Sequence, residues 1–515
     1  MVSQTAHSEE TNILTTEDFI KIWSEDSLVQ NAVHKIGQSV RANIQCKGLR
    51  GSMDAIFAAA MYQYAPSKSH LFVLNDKEEA IYFQGDLQSL LNEVEILLFP
   101  TSYRKPYQLL EVENANVLQR AEVLNQISQL KQAGQIIVAY PEALTDKVIN
   151  QRSLVENTLA VKVGELTGIE DLAEILSEYG FEREEFVYEA GQFSIRGGIM
   201  DIFSFANELP YRLEFFGDEI ESIRVFDPLS QLSVGSKEHV SIIPNVQKRM
   251  MQEVRDSFIK FIPNNAVIWF KDYQLTIETI SKYFLQATED FQAILKQSEK
   301  TQVINSPEDL FENEKSFQQA IEPYSCVEFG NRFALKASDI FDFKGKPQAS
   351  FNKDFNRMAE AFKKNQHQNI DTILIADSFR QINRLQTIFN EIDNKLELKE
   401  ARLSLRGGFF DQQRKVACYT DHQIFERYHR QNVKQRFSKS KAITLKELQK
   451  LNIGDFVTHV DHGIGRFGGM EKIDVGGKKQ EAIRLIYRDD DIYIRVFTHC
   501  IKFLNTLGKM AKPHK

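Results

Sequence analysis

Hydrophobic and polar positions along this chain follow two different periods, and the switch between them divides it into segments. Over residues 46–140, short apolar runs at 71–74, 96–99 and 136–140 alternate with stretches spaced as amphipathic helices at 53–64, 77–91 and 114–131. The last of these carries Val117, Leu118, Ala121, Leu124 and Ile127 on one face, with Gly134 placed as its stop. Apolar strands separated by helices predict a parallel α/β layer, a fold that commonly holds nucleotides. Over residues 191–227 the period is two. Phe193 and Ile195 alternate with polar neighbours, Gly197 and Gly198 break the run, and Tyr211, Leu213 and Phe215 alternate with Arg212 and Glu214 before a Gly217-Asp218 turn. That is an antiparallel hairpin unit.

Between Gln231 and about Gly345 the pattern is less regular. Phe-rich helices are expected to complete the first sheet, and 305–315 reads as an acidic surface loop and helix start. A second, small α/β piece begins near Asp371, with a buried strand TILIADS, an amphipathic helix FRQINRLQTIFNEI, and a strand KVACYTDHQIF running into a helix at Phe425. Thr444 is placed to cap a helix LKELQKL. The short strands DFVTHV, IGRFGGMEKID, AIRLIY and IYIRVF then suggest an SH3-like or Tudor-like barrel of about sixty residues. The fold class is α/β and multidomain.

At 515 residues and 42% hydrophobic, the chain can fill three to five cores. No apolar run is long enough to span a bilayer and the first residues are polar and acidic, so the expected location is cytoplasmic, with no membrane partner. Cys46, Cys326, Cys418 and Cys500 are scattered without a CxxC pair, which argues for packing roles. A net charge of −8 excludes binding to DNA through bulk positive charge. Any such contact needs a local patch such as RYHRQNVKQRFSKSK at 427–441, for which a solvated linker is the leading reading and upstream duplex DNA a weaker one.

The place to look for a nucleotide is the first strand-to-helix loop, Gly48-Leu49-Arg50-Gly51-Ser52-Met53-Asp54-Ala55. Against GxxxxGK[ST], Met53 replaces the second glycine, Asp54 the phosphate-neutralising lysine and Ala55 the magnesium-binding hydroxyl. A carboxylate at that point repels phosphate, so Gly48, Gly51, Ser52 and Asp54 are expected not to bind nucleotide. An ordinary glycine turn opening a helix accounts for the same residues. His422 has no partner set in sequence and reads as a polar helix start. His459 and His462 with Asp461 lack the spacing of a metal site, and Asp489, Asp490 and Asp491 read as a hairpin tip.

RGGIMDIF, YRLEFFGDEIESIRVFD and the following Gln231 resemble the interaction module shared by the excision-repair protein UvrB and the bacterial transcription-repair coupling factors. The resemblance implies that Arg183, Phe193 and Arg196 dock the excinuclease subunit UvrA. Ser194 stands where UvrB-type sequences usually carry another arginine, which implies a less basic surface. HVDHGIGRFGGMEKIDVGG resembles the polymerase-interacting domain shared with CarD-like regulators, implying that Gly465, Arg466, Phe467 and Ile473 meet the β subunit of RNA polymerase by strand addition. Phe467 and Ile473 equally suit a barrel interior.

UvrB would carry a long aromatic hairpin after LLFPTSYRKPYQ, whereas ENANVLQRAEVLNQI reads as helix, and Tyr103 and Tyr107 alone make no stacking platform. The resulting expectation is a degenerate P-loop domain at 1–143, a UvrA-interaction module at 144–240, the rest of a UvrB-like body at 241–345, a small α/β domain at 346–440 and a CarD-like domain at 441–515. Its function would be that of a non-catalytic adaptor. ATP and magnesium belong to the family's motor lobes, which this sequence does not contain, so no cofactor is expected here. The competing readings are a fragment of an ATP-driven translocase or helicase, and a CarD-like transcription regulator.

Overall fold

The computed structural model describes residues 13–37, 41–102, 107, 114–128, 134–149, 159–204, 207, 209–228, 230–242, 255–297, 305–427, 453–459, 463–475, 478–486, 491–495 and 503–504. The chain forms two compact units, one from residues 1–158 and 246–434, the other from 159–245 and 435–515.

The first unit holds two sheets. Seven strands, in the order Asp339–Asp342, Asn43–Lys47, Ser325–Glu328, Val267–Phe270, His70–Val73, Ile136–Ala139 and Ile96–Leu98, pair throughout in parallel. His70–Val73, Ile136–Ala139 and Val267–Phe270 are buried at every residue, as strands covered on both faces must be. The helix Met53–Tyr64 is buried from Met53 to Tyr62, which explains why its sequence is apolar almost all round. At the centre, Trp269 Nε1 donates to His70 Nδ1 at 3.1 Å, and Phe72 and Phe57 pack on the indole. Burial, with Lys68 adding to it, pushes the His70 pKa down to about 3, so the ring is neutral and Nδ1 is free to accept.

The second sheet runs Ile13–Leu14, Leu398–Arg402, Asp371–Ala376, Val416–Thr420, Phe409–Asp411 and Gly345–Pro347, parallel among the first four strands and antiparallel at the last two pairings. Its first strand comes from the other end of the sequence. Trp23, in the helix Thr16–Ser24, also donates its indole N–H to the buried Asp411 at 3.0 Å. The strand Ile13–Leu14 thus belongs to the second sheet while the helix Thr16–Ser24 also packs on Met53–Tyr64, so the expected division between 1–143 and 346–440 does not hold there. Residues 144–149 likewise belong to the first unit, because Val148–Ile149 pairs with Arg255–Asp256 and Asp146 bridges to Phe311. The helix start expected in 305–315 is present, with Asn313 capping Glu314–Ile321, but Phe311 and Glu312 are buried, so the stretch is only in part a surface loop. The helix expected at Phe425 is instead Asp421–Ile424, with Phe425 as its cap.

In the second unit, six strands follow the order Ser233–Lys237, Glu219–Phe226, Tyr211–Phe216, Ile199–Ile202, Gln192–Arg196 and Glu182–Arg183. One face packs Phe193, Met200, Ile202, Leu213 and Ile223 against Leu172 and Leu176 of the helix Ile169–Glu178. Leu159–Lys162 and His239–Ile242 pair antiparallel. A separate antiparallel sheet of five strands runs Asp491–Arg495, Lys478–Ile486, Gly463–Val475, Phe456–His459 and Phe503–Leu504, with a bulge between Phe467 and Met470. The predicted cap at Thr444, and the basic stretch after Arg427, lie outside the described residues. Among the described residues no helix is long and apolar enough to cross a membrane, and Cys46, Cys326 and Cys418 are buried free thiols.

Candidate docking surfaces and the nucleotide-like loop

The loop that follows Asn43–Lys47 bends at Gly48 and Gly51, with φ of +77° and +55°. Neither position has room for a side chain. A Cβ on Gly48 would lie 2.7 Å from the Lys344 nitrogen, and one on Gly51 2.5 Å from the Gly408 carbonyl oxygen. The backbone of residues 406–408 therefore sits on the loop where a phosphate would approach. Ser52 N–H donates to Gly407 O at 2.9 Å, and Gly407 N–H donates back to Ser52 Oγ at 3.1 Å. Ser52 Oγ in turn donates to Asp86 Oδ2 at 2.8 Å.

Asp54 is 2% exposed and receives two cations on one oxygen, Lys271 Nζ and Arg406 Nη2, each at 2.5 Å. Burial alone would raise its pKa, but Arg406 and Lys271 overcome that and hold it below the ordinary value. Asp86, fully buried, is pushed by burial up to about 7 against the opposing pull of Arg406 and the Ser52 hydrogen bond. The two carboxyls therefore act on stability in opposite pH ranges. Asp86 favours the fold fully below about pH 4, and that contribution is lost as pH rises through 7; the Asp54 contribution is present above pH 4 and lost on acidification. Urea unfolding at pH 5 and pH 8 is expected to show lower stability at the higher pH. Asp86→Asn should flatten that slope, which is about 1.4 kcal/mol per pH unit between the two pKa values. A slope unchanged in Asp86→Asn would assign it to other groups.

Among the predicted docking residues, Arg183 is exposed on the two-residue strand Glu182–Arg183. The Arg196 guanidinium lies 4.6 Å from the Phe186 ring centroid, and its Nη2 donates to Asp201 at 2.5 Å. Phe193 is a correction. It is 1% exposed and points into the core, so its ring cannot meet a partner. The aromatics that are exposed near Arg196 are Phe186 and Tyr188. Ser194 is also buried, opposite Asp201, and its hydroxyl has no partner among the described residues. An arginine there would compete with Arg196 for Asp201 rather than enlarge the exposed surface. Sequence reasoning also missed Arg212, which grips Asp201 through Nε at 2.7 Å and Nη2 at 2.8 Å while lying over Phe226.

In the five-stranded sheet, Gly465 is buried, and Phe467, 5% exposed, is an interior residue, which corrects its expected role as a polymerase contact. Arg466 is exposed, with its guanidinium over the Phe456 ring. Ile473 pairs with Gln480 within the longest hairpin of the sheet. Asp491 accepts from Arg484, which also donates to Glu471 at 3.0 Å. Asp461, His462, Asp489 and Asp490 lie outside the described residues, among which no group of three side chains is arranged to hold a metal. His422 is a part-buried residue whose Nε2 lies 3.1 Å from Arg406 O.

Two stretches of the chain match family models: the UvrB interaction domain over residues 159–247, and the CarD-like/TRCF RID domain over residues 451–497. The transcription-repair-coupling factor of Staphylococcus aureus strain USA300 is 24% identical over 549 aligned positions, covering 93% of this chain. That of Staphylococcus haemolyticus strain JCSC1435 is 23% identical over 518, covering 87%. The chain is a relative of the transcription-repair-coupling factors. It spans about half the length of these curated relatives, 46% and 44% respectively. In this coupling-factor relative the first matched stretch begins at the strand Leu159–Lys162 and takes in the whole six-stranded sheet, and the second takes in all the strands of the five-stranded sheet except Phe503–Leu504.

Proposed function

We propose that this chain is a non-catalytic adaptor of transcription-coupled excision repair, binding the β subunit of RNA polymerase through the 451–497 module and UvrA through the 159–247 module. The supporting observation is that both modules occur in one chain that aligns to coupling factors over nearly its whole length. Arg183 and Arg196 supply planar, permanently charged forks for carboxylates, with Phe186 and Tyr188 as the neighbouring aromatics in place of Phe193. On the other module Ile473 and Arg466, both on the strand Gly463–Val475, meet the polymerase. A barrel form of this sheet, the Gly48 loop's inability to bind nucleotide, and a cytoplasmic location are parts of the same proposal.

The test is a pair of titrations, one against the N-terminal lobe of the polymerase β subunit and one against UvrA. Ile473→Arg is expected to weaken polymerase binding at least 100-fold, the scale of a central interface residue, and to leave UvrA binding within twofold. Arg183→Glu with Arg196→Glu should do the reverse. If wild-type chain binds polymerase and not UvrA, the adaptor reading gives way to a CarD-like regulator. Addition of magnesium ATP at a hundred times a usual dissociation constant is expected to leave thermal stability unchanged, where a bound ligand would add about 2.7 kcal/mol.

A further inference from the structure

The Gly48 loop is complete without a nucleotide, and what completes it comes from the chain itself. Residues 403–408 follow the strand Leu398–Arg402 of the second sheet and lie across the loop of the first. Arg406 delivers its guanidinium to Asp54, while its own N–H donates to Asp86 at 2.6 Å. Gly407 exchanges two hydrogen bonds with Ser52, and Ser404 N–H donates to Ser89 Oγ at 2.9 Å. The backbone donors and the Arg406 guanidinium do for Asp54 and Asp86 what loop amides and a lysine do for phosphate, with the anions now on the loop side and the cation on the segment that covers it. We propose that residues 403–408 are a built-in ligand of this loop, a latch that docks the second sheet onto the first at the point where a P-loop would hold nucleotide. The substitution of aspartate for lysine at position 54 is then an exchange of ligand rather than simple decay of a site.

A latch opens locally, whereas a merely packed segment loosens with everything around it, and amide exchange separates the two. Hydrogen exchange on the full chain is expected to show Arg406→Met speeding exchange at residues 403–408 and 51–54 by about 10-fold or more, with residues 268–270 and 373–375 unchanged. Ser52→Ala, which removes a hydroxyl without adding bulk, should give the same pattern at about 3-fold and covers the case in which Arg406→Met does not fold. Asp54→Asn combined with Arg406→Met should exchange no faster than the faster single variant, because both break one joint. Exchange that is unaltered in Ser52→Ala, or that rises equally in both sheets, would overturn the latch.

Discussion

Asp54→Lys, which puts a lysine where a phosphate-binding loop would carry one, is expected to destabilise the protein by about 3–5 kcal/mol or more and to create no nucleotide site. Wild-type Asp54 takes the shortest ion pairs of both Lys271 and Arg406, which approach it from elements far apart in sequence, while Glu79 lies 3.7 Å from Lys271 and Asp86 3.8 Å from Arg406. Their side chains are 12% and 15% exposed, so water offers them little relief once that partner is gone. A third cation in the same space adds repulsion to the loss of the partner, and Asp86, with its pKa raised to about 7, supplies only part of a compensating charge. Phosphate gains nothing from the new lysine, because the backbone of Gly407 and Gly408 already covers Gly51. Urea unfolding followed by magnesium ATP titration checks both halves of the expectation. Stability within 1 kcal/mol of wild type, or ATP-dependent stabilisation, would show that the cluster is not the joint its geometry indicates.

Asp201→Ala carries the second large effect, about 3–5 kcal/mol in the stability of the 159–245 sheet. Its carboxylate is wholly buried, and it accepts from Arg196 on one neighbouring strand and from both ends of the Arg212 fork on the other. Removing it takes the only ion-pair partner that two guanidinium groups have among the described residues and leaves Arg212 with its Gln231 acceptors and Arg196 with Glu185 O, whereas Arg196→Ala leaves the Arg212 pair intact and should cost about 1–2 kcal/mol. Chemical denaturation of the variants measures the difference. If Asp201→Ala costs no more than Arg196→Ala, the carboxylate is not shared. Loss of Asp201 also frees the Arg196 fork from its fixed position beside Phe186, so on the proposed function UvrA affinity should fall in Asp201→Ala even at temperatures where the sheet remains folded.

Much of the fold was legible because the signals were long and local. Strands buried on both faces read as continuous apolar runs, which is why His70–Val73 and Ile136–Ala139 stand where the pattern put them. The strand Ile13–Leu14 was illegible because two residues carry no period, and its place is fixed by pairing with Leu398–Arg402 from the far end of the chain. Phe193 is the instructive error. Its alternation with Ile195 already aimed it at the core, and the resemblance to a docking motif overrode that pattern; Phe467 repeats the lesson beside the buried Gly465. The Asp54 cluster was half visible. The sequence showed a carboxylate in the wrong place, but Lys271 and Arg406 reach it only through tertiary structure, across sequence gaps that no motif spans.

The pairing of Leu159–Lys162 with His239–Ile242 means that the chain enters and leaves the UvrB-type module along two adjacent strands, about 5 Å apart. Such a stem makes the module a cassette: it can be grafted into a connection between strands while the recipient sheet sees only a short gap to bridge. In order of synthesis, His70–Val73 must wait until the whole cassette has been made before its neighbour Val267–Phe270 exists to pair with it. During translation the cassette is thus free to fold first and alone, and Arg183 and Arg196 are set before the body that carries them is closed.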